Sequence, residues 1–377
     1  MSVIHRAVVA SAATVATAAT AAFVLAPAAG AQARSSGSSF IGHFHHLKTI
    51  ASTVPGNGDV NPYGTVVIQR THGDLRRGNV LISNFNNKKN LQGTGRTIVQ
   101  ITPGGKLSVF AKIRPNHLPG PCPGGIGLTT ALTVLKGGWV VVGSLPTSDG
   151  MAATAKAGCL LVLDNTGHVR ETISGHGING PWDMTSVSFG NLAQLFVTNV
   201  LNGTVAANGK VVHRGTVLRL IMALHGSQPP AVKDITKIGS GFPQRTDPAA
   251  LVIGPTGVAL SQGTLYVANS LVSKINAIPN AVLRGSSAGT GMVVTSGGKL
   301  NVPLGLTVAP NGNVLTVNGA DGRIVETTPS GMQVASRFLD KSGTPPGAGA
   351  LFGLAVAPFG TGVYYVDDAV NTLRLLH

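Results

Sequence analysis

Between residues 302 and 340 the chain alternates short apolar runs with polar, glycine-bearing breaks: VPLGLTVAPNGNVLTVNGADGRIVETTPSGMQVASRFLD. This pattern predicts four β-strands, Leu306–Ala309, Val314–Val317, Arg323–Thr328 and Met332–Leu339, joined by tight turns. Strands this short cannot bury their faces alone. A four-stranded unit that recurs along a chain solves the problem by packing its sheets radially, which is the architecture of a β-propeller.

The same rhythm runs through the rest of the sequence. A first unit opens at Pro62-Tyr63-Gly64 and continues through Val80–Ser83, Thr97–Thr102 and Leu107–Ile113. The second starts near Thr130, with Trp139–Val142, Leu160–Leu163 and Val169–Ile173. A third opens at Pro181-Trp182-Asp183 and continues through Leu195–Thr198, Val217–Met222 and Lys233–Ile238. The fourth opens at Pro255-Thr256-Gly257, and the sixth runs from Leu351-Phe352-Gly353 but stops after three strands. His45–Val54 is a strand without neighbours in sequence, so it is expected to supply the missing fourth strand and close the ring. The predicted fold is all-β: six four-stranded antiparallel blades over residues 45–377.

The turns carry a resemblance. Pro303, Gly305, Ala309, Gly312, Asn313, Asn318, Asp321, Arg323 and Ile324 fall in the order of the NHL repeat, P-x-G-V-A-V-D-x-x-G-N-I-Y-V-A-D-x-x-N-x-R-I. The fourth unit repeats it through Pro255, Gly257, Gly263, Tyr266 and Asn269, and the sixth through Gly353, Tyr365, Asp367, Asn371 and Arg374. The chain thus resembles NHL-type six-bladed propellers over its last three units, and more weakly before them. It is also distantly similar to the calcium-dependent lactonase propellers, which implies a divalent cation such as calcium. The opening Glu of that family is missing, because Tyr63 stands between Pro62 and Gly64.

Composition supports the all-β expectation. The sequence holds 51 glycines and 22 prolines, which disfavour helices and suit many turns. Residues 1–33 read as a secretory signal peptide: a cationic start, an Ala/Val/Thr-rich run and an Ala31-Gln32-Ala33 cleavage signature; the alternative is a retained N-terminal membrane anchor. Residues 34–44 read as a linker. A secreted or cell-envelope location follows, with no membrane span after cleavage. Export also permits Cys122 and Cys159, which lie in one unit, to form a structural disulfide; the alternative is two buried thiols. The formal charge of +15 loses only Arg6 on cleavage. It favours anionic surfaces, whereas aromatic content of 5% argues against a single-stranded nucleic-acid platform.

Two sets of residues are candidates for chemistry. The ends of the second strands give Asn84, Asn199, Asn269, Asn318 and Asp367, and the openings of the first strands give Tyr63, Trp182 and Phe352. Together they would form an aromatic, amide-lined mouth for a small ligand. Strand-end Asn and Asp also shape turns by bonding nearby backbone, and both roles stay open. For a divalent cation the candidate donors are Asp183, Asp367, Asn199 and Asn269. Gly285-Ser286-Ser287-Ala288-Gly289 matches G-x-S-x-G but lies between short strands, where a nucleophile elbow does not form. His43, His45 and His46 read as exposed polar residues near the amino terminus. With no catalytic constellation in view, the expected function is a monomeric, non-catalytic binding scaffold for a protein, an anionic envelope polymer or a small ligand. The alternative is a metal-dependent hydrolase or lyase working at the channel mouth.

Overall fold

A computed structural model describes residues 38–248 and 250–377, so the expected signal peptide lies outside the described residues. Six antiparallel sheets stand round a central channel, each with its first strand innermost. Blade 1 runs from Val60–Val67 through Val80–Asn86 and Thr97–Ile101 to Leu107–Lys112. The innermost strands of blades 2 to 6 are Leu128–Val134, Gly180–Phe189, Pro255–Ser261, Pro303–Val308 and Leu351–Val356. Leu47–Ser52 pairs with Thr372–Leu376 and completes blade 6, closing the ring as the sequence predicts.

Each blade is sandwiched between two others, so its middle strands are buried on both faces; every residue of Val80–Asn86 and Cys159–Leu163 is buried. The core is accordingly divided into interblade layers. Leu81 and Ile98 of blade 1 meet Leu132 and Val142 of blade 2, and Phe196 and Val217 of blade 3 meet Val258 and Val267 of blade 4. Cys122 and Cys159 form a disulfide at the edge of the first of these layers.

Two features exceed the sequence reading. Blade 3 is enlarged: its third and fourth strands, Val212–His225 and Gln228–Asp247, form a long hairpin, and Leu251–Ile253 adds a fifth strand. The fourth strand extends well beyond the expected Lys233–Ile238 and accommodates Pro229, Pro230 and Pro243 through repeated register shifts against its neighbour. The second feature is the stretch expected as a linker. Residues 39–44 are held against blade 5, where the buried Glu326 carboxylate accepts bonds from Ser39 Oγ (2.6 Å), Phe40 N (2.7 Å) and Ile41 N (2.9 Å). Arg337 donates to the carbonyls of Ile41 and Gly42 from the other side.

A bulge recurs near the start of every innermost strand, as at Pro62/Thr65, Pro181/Met184 and Leu351/Leu354. It brings neighbouring blades into backbone contact. A Cβ on Gly305 would stand 1.9 Å from Phe352 O, and one on Gly353 would stand 2.0 Å from Tyr63 O, so only glycine fits at these two junctions. In blade 3 the equivalent position is Asp183. Its side chain reaches blade 4 and accepts a hydrogen bond from Val258 N at 3.0 Å.

Candidate functional site

The bulges divide the channel into two unlike halves. On the side where the innermost strands begin, Tyr63 stacks on Phe352 (centroids 4.0 Å apart) and Phe85 (4.6 Å), and Trp182 packs beside it at 6.2 Å. Tyr63, Trp182 and Phe352 are each 3% exposed. The aromatic residues expected to wall an open mouth therefore pack on one another and form a plug. Burial, together with the charge of Asp368, raises the Tyr63 hydroxyl well above its ordinary pKa.

Beyond the bulges the channel opens into a cavity of about 950 Å³. Its floor includes Asp183, Gly305 and Gly353, one residue on from Trp182, Leu304 and Phe352 of the plug. Innermost strands of all six blades supply its wall. Hydroxyl groups recur there, and Thr133 Oγ1 and Ser186 Oγ are joined at 2.7 Å between blades 2 and 3. Among the described residues, Asp183 supplies the one carboxyl of this lining. Its Oδ1 accepts from Met184 N at 2.8 Å and its Oδ2 from Val258 N. Burial outweighs those two bonds and raises the acid to a pKa of about 8.

The strand-end residues gather at the plug end, paired in register with the openings of the innermost strands: Asn84 with Pro62, Asn199 with Pro181, Asn269 with Pro255, Asn318 with Pro303 and Asp367 with Leu351. All five are buried. Three bond the connection that enters their own blade: Asn84 Nδ2 donates to Thr53 O, Asn318 Nδ2 to Lys299 O, and Asn199 Oδ1 accepts from the amides of Asn179 and Gly180. Asp367 Oδ2 is paired with Arg374 at 2.8 Å. Burial, with the charge of Asp340 nearby, nonetheless keeps the Asp367 acid raised, and burial followed by the Asp367 charge raises Asp368 to about 7.

The four expected cation donors do not come together as one site. Asp183 faces the cavity in blade 3, whereas Asp367 belongs to blade 6 across the ring. Both Asp183 oxygens and Asn199 Oδ1 already accept backbone N–H groups, leaving Asn269 Oδ1 and Asp367 Oδ1 as buried oxygens without a partner. Two oxygens fall well short of a calcium shell, and the aromatic plug occupies the channel at their end. Among the described residues no group of three or more His, Cys, Asp or Glu side chains is arranged to hold a metal. Ser287 lies in the loop between the outer strands of blade 4, its Oγ 2.7 Å from Ser240 Oγ.

No protein-family model and no curated protein matches this sequence. Solved structures do match it in three dimensions. A gluconolactonase from Xanthomonas campestris superposes with a TM-score of 0.54 at 14% identity, over 87% of this chain and 88% of that one. Regucalcin from Agrobacterium tumefaciens, described as a calcium-binding protein, superposes with a TM-score of 0.54 at 13% identity, covering 88% and 93%. A streptogramin B lyase gives 0.50 at 14% identity, covering 88% and 97%. The likeness is one of fold. It establishes the six-bladed propeller, and the chemistry has to be argued from the site.

Of the residues singled out from sequence, Asp183 lines the cavity and the strand-end and aromatic candidates lie at the plug end; the other cavity residues were not singled out. The channel-facing hydroxyls, the floor position of Asp183 and the rim residues Arg70, His72 and Lys136 all follow from the innermost strands and the turns that leave them. A readable signal existed: polar Thr and Ser residues recur along predicted first strands, where a wholly apolar strand would serve packing better.

Proposed function

We propose that the protein is an exported, NHL-type propeller enzyme of the hydrolase or lyase class, acting on a small molecule in the channel cavity with Asp183 as its acid–base group. One observation carries this reading: a carboxyl lies buried at the cavity floor, where burial raises its pKa to about 8. An acid of that strength is protonated at neutral pH, and it can give its proton to an oxygen leaving a carbonyl or ether carbon. The resulting carboxylate remains held by Met184 N–H and Val258 N–H, which fix its orientation. The wall hydroxyls supply hydrogen bonds to a polar substrate, and the apolar wall contributes desolvation. The fold neighbours include a lactonase and a lyase, which agrees with this class by analogy alone. No helix among the described residues is long and apolar enough to cross a membrane, and the disulfide suits an oxidising compartment.

The test is a panel of small lactones and cyclic esters, assayed with the wild type and Asp183→Asn. Turnover that falls by about a hundredfold or more in the variant, with little change in KM, supports the role. A non-catalytic scaffold, in which Asp183 only ties blade 3 to blade 4, gives no turnover in either protein.

A further inference from the structure

We propose that the substrate of this cavity carries an anionic group, held at the rim by Arg70, His72 and Lys136 about 10 Å from the bond that reacts over the floor. The inference rests on the cavity as the substrate site and adds a substrate class to it. Arg70 and His72 follow the innermost strand of blade 1, and Lys136 follows that of blade 2. The two turns touch, since a Cβ on Gly138 would lie 2.5 Å from His72 Cβ, and all three residues line the same cavity. Lys136 Nζ donates to Gly190 O at 2.9 Å, which leans it toward the turn of the enlarged blade 3 at the same rim.

Charge balance points the same way. Among the described residues, none of Arg70, His72 and Lys136 belongs to an ion pair, and the lining holds no carboxylate besides Asp183 at the floor. Asp183, protonated at neutral pH, does not repel an incoming anion. The chain as a whole is strongly basic, and a cleft with one sign of charge at its lip concentrates ligands of the other sign. The separation follows from the strand: Gly64 stands at the level of the bulge and Val67 three residues on, a rise of about 10 Å, with Arg70 beyond it. A molecule that spans both ends is therefore longer than a simple carboxylic acid.

Two dyes of one skeleton provide the test. 8-Anilino-1-naphthalenesulfonate carries the anion and N-phenyl-1-naphthylamine lacks it, and fluorescence titration gives a Kd for each. The wild type is expected to bind the sulfonate about tenfold more tightly than the amine, with a preference that fades at high salt. Arg70→Ala/Lys136→Ala should abolish that preference. Lys88→Ala/Lys89→Ala, on the connection at the plug end, should leave it intact. Equal binding of the two dyes, a preference that survives Arg70→Ala/Lys136→Ala, or one lost in Lys88→Ala/Lys89→Ala overturns the inference. Asp183→Asn separates the two proposals: it should retain the sulfonate preference even where it removes turnover, so the anion site and the acid–base role can fail independently.

Discussion

Glu326→Gln removes one charge from a buried carboxylate that receives five hydrogen bonds. Oε2 accepts from Ser39 Oγ and Ile41 N, and Oε1 accepts from Phe40 N, Asn311 Nδ2 (3.0 Å) and Asn313 Nδ2 (2.7 Å). A glutamine fits the space but must present an NH₂ group to one of these sets. The better orientation turns it toward Ile41 N and Ser39 Oγ, where the hydroxyl can rotate and the amide cannot. One bond is then lost to donor–donor opposition, and the others fall from charge-assisted to neutral strength. At roughly 1 kcal/mol for each of the four weakened bonds and 1–3 kcal/mol for the orphaned amide, the expected loss is about 5–7 kcal/mol. Burial raises the Glu326 acid, but the bonds from Phe40, Ser39, Asn313 and Asn311 outweigh it, and the folded-state pKa lies below the ordinary value. Its contribution is thus complete above the ordinary glutamate pKa and is lost as pH falls through the depressed folded one. Urea unfolding at several pH values should show the wild type well above Glu326→Gln at pH 7, with the two converging in acid. Equal midpoints at pH 7, or a gap that does not narrow in acid, would refute the clamp.

Four further outcomes follow from the same structure. Asp183 binds its proton more tightly folded than unfolded, so wild-type stability should fall relative to Asp183→Asn as pH rises from about 4 to about 8, by at most about 1.4 kcal/mol per pH unit, and the difference should level off above that range; denaturation at stepped pH reads it. Cys122→Ser/Cys159→Ser opens a bridge between residues 37 apart and should cost about 4 kcal/mol in the same assay. Gly353→Ala drives a methyl into Tyr63 O at the junction of blades 6 and 1 and should cost about 2 kcal/mol or more, visible as a lower melting temperature. Chelation followed by added calcium should leave the melting temperature unchanged, because the expected donors are already engaged or lie apart; a rise with calcium would show a site that binds the folded state.

The fold was largely legible because each blade repeats a local rule. Pro-x-Gly at the bulge, an apolar second strand ending in Asn or Asp, and a third strand after a short turn are all short-range signals, and even the closing strand at Leu47–Ser52 showed itself as a strand without neighbours. Blade 3 was less readable. Its fourth strand contains Pro229, Pro230 and Pro243, which local propensity assigns to loops, and only pairing with Val212–His225 makes it a strand. The site was harder still. Spacing placed Tyr63, Trp182 and Phe352 correctly at one end of the channel, but whether three aromatics line a mouth or fill it depends on ring-to-ring packing across blades. Asp183 was singled out as a cation donor; its contact with Val258 N is a tertiary fact, and from that contact comes its position on the floor. The Glu326 clamp joins residues nearly 290 apart in sequence, beyond any local pattern.

The most direct test of the account is the pH dependence of lactone or cyclic-ester turnover by the wild type and by Asp183→Asn. The account predicts wild-type activity that declines as pH rises through about 8, where the floor acid loses its proton, and a variant reduced by about a hundredfold or more without that inflection. Activity that Asp183→Asn retains with the same inflection, or a folded wild type that turns over no member of the panel, would contradict it.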